Sequence, residues 1–159
     1  MLKLGAYRDC QSGAAVVEAV FVFPLLILLG FGGVDSSLLM LQNHKMENGL
    51  TAAGNYLSRS ENPQSLETKA RRLATTGQLT SGGTAKITGW GANDVVISYQ
   101  NTANPDNGGS RDYRGGDTIK VARLTSQLSY DGIGFLKAVT GGSVTVKASY
   151  EERLIGDAG

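Results

Sequence analysis

Hydrophobic and polar positions divide the chain into unlike stretches. Residues 14–34 are apolar almost throughout, with no Lys, Arg, Asn or Gln and a single acid, Glu18. As a helix this run spans about 31 Å at 1.5 Å per residue, enough to cross a hydrocarbon core of roughly 30 Å. Beyond it, Leu39, Met46, Leu50, Ala53 and Leu57 recur at the spacing of one helical face. Gln42, Asn43, Lys45, Glu47 and Asn48 fill much of the remaining surface, so an amphipathic extension is predicted over 35–58. Between the two patterns stands Gly30-Phe31-Gly32-Gly33. Each glycine costs a helix about 0.8–1 kcal/mol relative to Ala, which predicts a bend or a melted turn where the chain leaves the bilayer. Pro24 lacks an N–H and frees the carbonyl of Val20, so a kink is expected there too.

After residue 58 the period changes twice. Asn62-Pro63 is a cap residue followed by a proline at the first helical position. It predicts a short second helix that buries Leu66, Ala70, Leu73 and Gly77 and turns Lys69, Arg71 and Arg72 to solvent. From Thr84 the alternation is that of strands. Residues 85–89 and 95–99 flank Gly91-Ala92-Asn93-Asp94 as a hairpin, with Val95, Ile97 and Tyr99 on one face. Residues 101–116 lack apolar periodicity and read as a long exposed loop. Ile119 and Val121 differ in parity from Leu124, Leu128 and Tyr130, which predicts a bulge near Ala122 or Arg123. A helical turn is expected over 133–139. A final strand follows in which Val144, Val146, Ala148 and Tyr150 share a face. The expected class is α+β: a long N-terminal transmembrane and amphipathic helix, a short second helix and a small antiparallel sheet of about four strands.

Composition narrows the chemistry. The chain has 159 residues, room for an anchor and one small outer domain, and a formal charge of +1, which gives no electrostatic case for nucleic acid. Cys10 and His44 are each the only residue of their type. No intramolecular disulfide or multi-His metal site can therefore be assembled, and with the apolar run across a membrane Cys10 and His44 lie on opposite sides of it, so no Cys-His pair is expected either. No G-x-S-x-G surrounds a serine, so an enzyme is not expected, nor a cofactor. Asp106, Asn107, Asp112 and Asp117 crowd one loop, but without the D-x-[DN]-x-[DN]-G pattern of a calcium loop. No metal site is assigned. Trp90 and Tyr99 are expected in the core rather than on an adhesive surface.

Lys3 and Arg8 against Asp9 precede the apolar run, while Asp35 is the first charge after it. This bias favours a cytoplasmic N-terminus with the remainder outside. A cleavable secretory signal has a shorter apolar region and a small-x-small site, which LLGFGGVDSS does not offer. A lipoprotein cysteine would follow the run, whereas Cys10 precedes it.

A carboxylate inside such a run costs about 2.5–3.5 kcal/mol at mid-bilayer on insertion scales, so Glu18 is expected to have a task. Gly13-Ala14-Ala15-Val16-Val17-Glu18 followed by an apolar helix resembles a type IV prepilin processing site, where a membrane aspartyl peptidase cuts after the glycine. The stretch continues Ala19-Val20-Phe21-Val22-Phe23-Pro24-Leu25-Leu26-Ile27-Leu28-Leu29. This is similar to the anchors of TadE-like minor pilins in the Tad (tight adherence) branch, Pro24 included. Residues 117–153 resemble that family more loosely. Ala19 departs from the aromatic that commonly follows the Glu in Tad pilins.

The resemblance implies four parts: a cytoplasmic prepilin leader 1–13, a transmembrane helix 14–34, an amphipathic extension 35–58 and an extracytoplasmic domain 59–159. It implies cleavage between Gly13 and Ala14, and a pseudopilin held in a bacterial inner membrane with its C-terminal domain periplasmic, from which it primes or joins an adhesive pilus. The implied partners are other pilins and pseudopilins, the prepilin peptidase, the inner-membrane assembly platform and the lipid bilayer. Glu18 would neutralise the new α-ammonium of a neighbouring subunit and so set axial registry. Two other readings are a pseudopilin of a type II secretion system or another type IV pilus, and an uncleaved single-pass anchor carrying a periplasmic binding module.

Overall fold

The helix α1 (Gln11–Ser58) runs for 48 residues, and its two halves differ in what surrounds them. The computed structural model describes residues 11–106, 108, 109, 111, 113 and 116–156. Expectations for Lys3, Arg8, Asp9, Cys10, Asn107 and Asp112 lie outside the described residues. From Ala15 to Val34 every position of α1 but Gly32 is exposed, and the stretch is long and apolar enough to cross a membrane. The second half is the spine of a domain: Met46, Leu50, Ala53 and Leu57 are fully buried, and Leu39 packs half-buried beside them. The predicted stripe is therefore the buried one. Burying such Leu and Met side chains contributes about 1.5–3 kcal/mol each.

Of the bend or melted turn expected at Gly30-Phe31-Gly32-Gly33, the melted turn does not form: α1 stays helical there and through Pro24. The glycine cost is offset locally by packing. The Phe31 ring stacks on Phe135 with centroids 6.4 Å apart, and a Cβ on Gly32 would stand 3.3 Å from the Phe135 ring.

The second helix forms where Asn62-Pro63 signals it. Asn62 Oδ1 accepts the Ser65 N–H at 3.2 Å, a 3-10 turn at Gln64–Leu66 follows, and α2 (Glu67–Thr76) continues from it. Its fully covered positions are Ala70, Ala74 and Thr75, with Leu66 and Leu73 half-buried. Lys69 is exposed, whereas Arg71 lies half-buried and pairs with Glu67 at 3.1 Å. Gly77 is exposed and ends the helix in a left-handed conformation, φ +78°, its N–H donating to the Leu73 carbonyl. Gly49 lets α2 approach α1, since a Cβ there would lie 2.5 Å from the Ala74 carbonyl oxygen and 2.7 Å from the Trp90 ring.

Three strands form one antiparallel sheet in the order β1 (Val95–Ala103), β2 (Thr118–Tyr130), β3 (Val144–Arg153), among the described residues. The expected fourth strand at 85–89 is absent. That segment is turns: the Lys86 N–H donates to the Thr75 carbonyl, and the Trp90 N–H to that of Ile87. With only Ile87 and Trp90 to bury, it closes over the end of α2 instead of joining the sheet. A 3-10 turn, Ala92–Asp94, then leads into β1.

The bulge expected in β2 is also absent, because β2 keeps one register with β1 and one with β3 along its paired length. The parity change has a simpler origin. Ala122, Leu124, Ser126, Leu128 and Tyr130 face the core, while Ile119 is buried on the opposite side near the start of the strand. The inner face of β1 is Val95, Ile97 and Tyr99, and that of β3 is Val144, Val146, Ala148 and Tyr150, both as the alternation predicts. β1 reaches further than expected, to Ala103, because Asn101, Thr102 and Ala103 pair with Lys120, Ile119 and Thr118. A short helix, α3 (Phe135–Thr140), joins β2 to β3 and packs on α1.

Candidate functional site

The positions that the sequence marks for processing lie at the end of α1 remote from the sheet. Gly13 is helical and exposed, with open space around its Cβ position, and the backbone of Ala14 continues the helix. Glu18 is exposed on the same helix, seventeen residues before Asp35 and so about 26 Å below it along the axis. Gly13 and Glu18 thus share an exposed helical end, away from the sheet. At Gly30 the absent side chain leaves a hollow of about 430 Å³ between Phe23, Ile27, Phe31 and Val34.

The opposite end of the apolar run carries the most elaborate polar arrangement in the molecule. Asp35, one residue past the run, is fully buried. The Tyr130 hydroxyl donates to Asp35 Oδ1 at 2.5 Å and lies 2.7 Å from the Asp35 backbone oxygen. The Ile133 N–H donates to Oδ1 at 3.1 Å and the Leu136 N–H to Oδ2 at 2.7 Å. Three groups, the Tyr130 hydroxyl at the end of β2 and two amides of the segment after it, thereby converge on one helical residue. The Leu136 amide and then the Tyr130 hydroxyl hold the Asp35 carboxyl below its ordinary value of 3.8, overcoming burial, which acts the other way. Tyr130 is pushed up to about 12, by burial first and by its bond to Asp35 second.

Glycine is required beside this carboxylate. Gly132 adopts φ +45°, and a Cβ there would overlap Asp35 Oδ1 and the Tyr130 hydroxyl. The arrangement's two titratable groups, Asp35 and Tyr130, are bound to each other and the carboxylate is held by backbone amides, so its chemistry is positional. It fixes the angle and height at which the sheet and α3 meet the apolar half of α1.

Sequence reasoning noted Asp35 only as the first charge after the run and did not assign it a role. A signal was present, because Asp35 stands four residues before Leu39 and hence on the buried stripe. An acid on the apolar face of a helix needs donors from elsewhere in the fold.

The remaining sequence candidates lie apart from this junction. Trp90 is 2% exposed and donates through Nε1 to Ser126 Oγ at 2.9 Å, a core residue with a satisfied polar edge. Tyr99 is half-buried against the same core. Asp106 accepts the Gly109 N–H at 2.6 Å, and Asp117 pairs with Arg111. Among the described residues no three His, Cys, Asp or Glu side chains come together as a metal site. The loop they occupy is organised instead by Asn104, which is 1% exposed. Its Nδ2 donates to the carbonyls of Tyr113 at 2.9 Å and Gly116 at 3.1 Å, and its own N–H donates to that of Asp117.

Comparison with known proteins bears on the helix and not on the sheet. Residues 13–54 match the model of a family described as TadE-like protein. The match begins at Gly13 and takes in the whole apolar run, Glu18, Pro24 and Asp35, so the similarity covers that run and most of its extension. No curated protein and no solved structure matches the chain.

Proposed function

We propose that this chain is a TadE-like pseudopilin, a structural component in the assembly of a Tad-type pilus. It is inserted with its N-terminus in the cytoplasm, cut by prepilin peptidase between Gly13 and Ala14, and held in the inner membrane by residues 14–34. The outer domain stands on the periplasmic side, where it primes or joins the adhesive fibre through contacts with other pilins and the assembly platform.

The observation that carries this reading is the state of the first half of α1. Twenty residues of apolar helix, from Ala15 to Val34, emerge from a folded domain with almost no cover of their own, and the TadE-like match begins at Gly13. A helix that is apolar on all sides requires lipid or other helices around it, and a pilin anchor uses both in turn. Glu18 projects from this surface, and among the described residues it has no ion pair with the rest of the chain. Cleavage would create an ammonium on Ala14 four residues away, and a neighbouring subunit's Glu18 could pair with it.

The test is N-terminal sequencing and intact mass of the membrane-extracted protein, from cells with and without the prepilin peptidase. The mature product is expected to start at Ala14 only when the peptidase is present. A product starting at Met1 under both conditions would favour the uncleaved anchor, and one starting beyond Gly33 a secretory signal. For registry, Glu18→Gln should leave cleavage intact while lowering recovery with the pilus fraction. Full recovery of the variant would remove the role given to Glu18.

A further inference from the structure

We propose that α3 and the turn before it form a lipid-contacting foot, seated in the outer interface of the bilayer that α1 crosses. The outer domain then rests on the membrane surface. This rests on the reading of residues 14–34 as membrane-spanning.

The height of α3 on the helix is the first argument. Phe135 stacks on Phe31, and Gly32 lies against the same ring. Phe31 is three residues inside the end of the apolar run, about 4.5 Å below it at 1.5 Å per residue. An interfacial helix seats its apolar face roughly 5–10 Å into the boundary between headgroups and acyl chains. A domain element that touches Phe31 therefore already reaches the depth at which interfacial helices lie.

The composition of the foot is the second. Ile133 is 50% exposed and Val139 64% exposed, and residues 133–143 contain one base, Lys137, and no acid. Exposed apolar side chains are costly in water and favoured at the interface, and a lysine on such a surface extends its ammonium to the phosphates. Exposed apolar side chains continue from the span: Phe31 and Val34 are more than half exposed, and just above them Leu38, Leu41 and Ile133 line a groove whose other walls include the polar Lys45, Lys86 and Asp131.

Attachment is the third. The Asp35 carboxylate holds the Ile133 and Leu136 amides directly, so the foot has a fixed height relative to the span. A flexible tether would leave these residues free to fold back onto the domain.

Depth-dependent quenching tests this on the full chain, in vesicles of phosphatidylcholine and phosphatidylglycerol. On a Cys10→Ser background, an environment-sensitive fluorophore is attached at Val139→Cys, at Leu28→Cys within the span, and at Glu61→Cys beyond the far end of α1. The Val139 probe should lose about half its emission to lipids spin-labelled near the headgroup, as expected ~5–10 Å into the boundary. It should respond less to lipids labelled near the tail end. The Leu28 probe should show the reverse order, and the Glu61 probe should respond to neither. If Leu28 is quenched while Val139 behaves like Glu61, the foot is overturned and the membrane span stands. If Leu28 is not quenched either, the span itself fails and the proposal falls with it. If Val139 is shielded only as protein density rises, with cross-linking between copies, the surface belongs to a second copy of this chain and the lipid assignment is wrong.

Discussion

Asp35 and Tyr130, ninety-five positions apart in the chain, meet at 2.5 Å where the apolar half of α1 gives way to the folded domain. The pair closes a path from the apolar half of α1 through one carboxylate to the end of β2 and the start of α3. A buried, donor-rich carboxylate resists bending at that joint better than apolar contact alone. Hydrogen bonds are directional, whereas hydrophobic packing tolerates sliding.

An acid limb to stability follows from Asp35. Its carboxyl is held below the 3.8 of the unfolded chain, so its contribution is whole above that value and is lost as pH falls through the folded value. Thermal melts of the detergent-solubilised chain should decline along this limb in the native protein. In Asp35→Asn they should decline less steeply from a starting point several degrees lower. An unchanged acid limb in the variant would mean that the carboxylate is not buried as described.

Tyr130 gives an alkaline counterpart. Burial and Asp35 raise its hydroxyl from 10.0 to about 12. The stability it contributes is complete below the unfolded value and disappears as pH rises toward the folded one. Burial also raises Tyr99, and the bond to Glu152 raises Tyr150, so tyrosinate absorbance should show several late-titrating tyrosines. Tyr130→Phe should lower that late amplitude by one tyrosine, and an unchanged late amplitude would contradict the burial of Tyr130.

Gly132→Ala should be among the most harmful single-methyl changes. Overpacking costs about 1–3 kcal/mol, and the left-handed backbone about 1–2 kcal/mol more for a residue with a Cβ. Gly142→Ala, where a Cβ meets nothing, should be near neutral. Chemical denaturation of the two variants side by side checks this, and equal midpoints would contradict the crowding at Asp35.

Asn104→Ala should open the loop between β1 and β2 without unfolding the sheet. It strips donors from the Tyr113 and Gly116 carbonyls, at a cost of about 1–3 kcal/mol. Limited trypsin digestion should then cut after Arg111 several-fold faster while the melting curve keeps its shape. A native cutting rate would show that Asn104 does not hold the loop.

Much of this architecture was legible because period alone decides it. The helical stripe from Leu39 to Leu57 and the alternation in β1 and β3 each place side chains on one face whatever surrounds them. The α+β class and the second helix at Asn62-Pro63 followed in the same way. The strand count did not. Residues 85–89 carry a strand-like composition, but whether they pair depends on whether β1 has an edge to give them. The end of α2 claimed their backbone donor first. The parity change in β2 likewise admitted two explanations that only the pairing could separate.

The sequence by itself determined the apolar run: its length, its lone acid, the TadE-like match that begins at Gly13 and the stripe that ties it to a domain. These are local properties, set by spacing and by transfer of side chains out of water. Tertiary structure alone decided that the helix stays unbroken through Gly30-Phe31-Gly32-Gly33, that Asp35 is buried, and that α3 reaches down to Phe31. Each of these depends on groups about a hundred residues away in the chain. No periodicity records such a meeting, because the donors that make a buried carboxylate tolerable come from a segment whose position exists only once the sheet has formed.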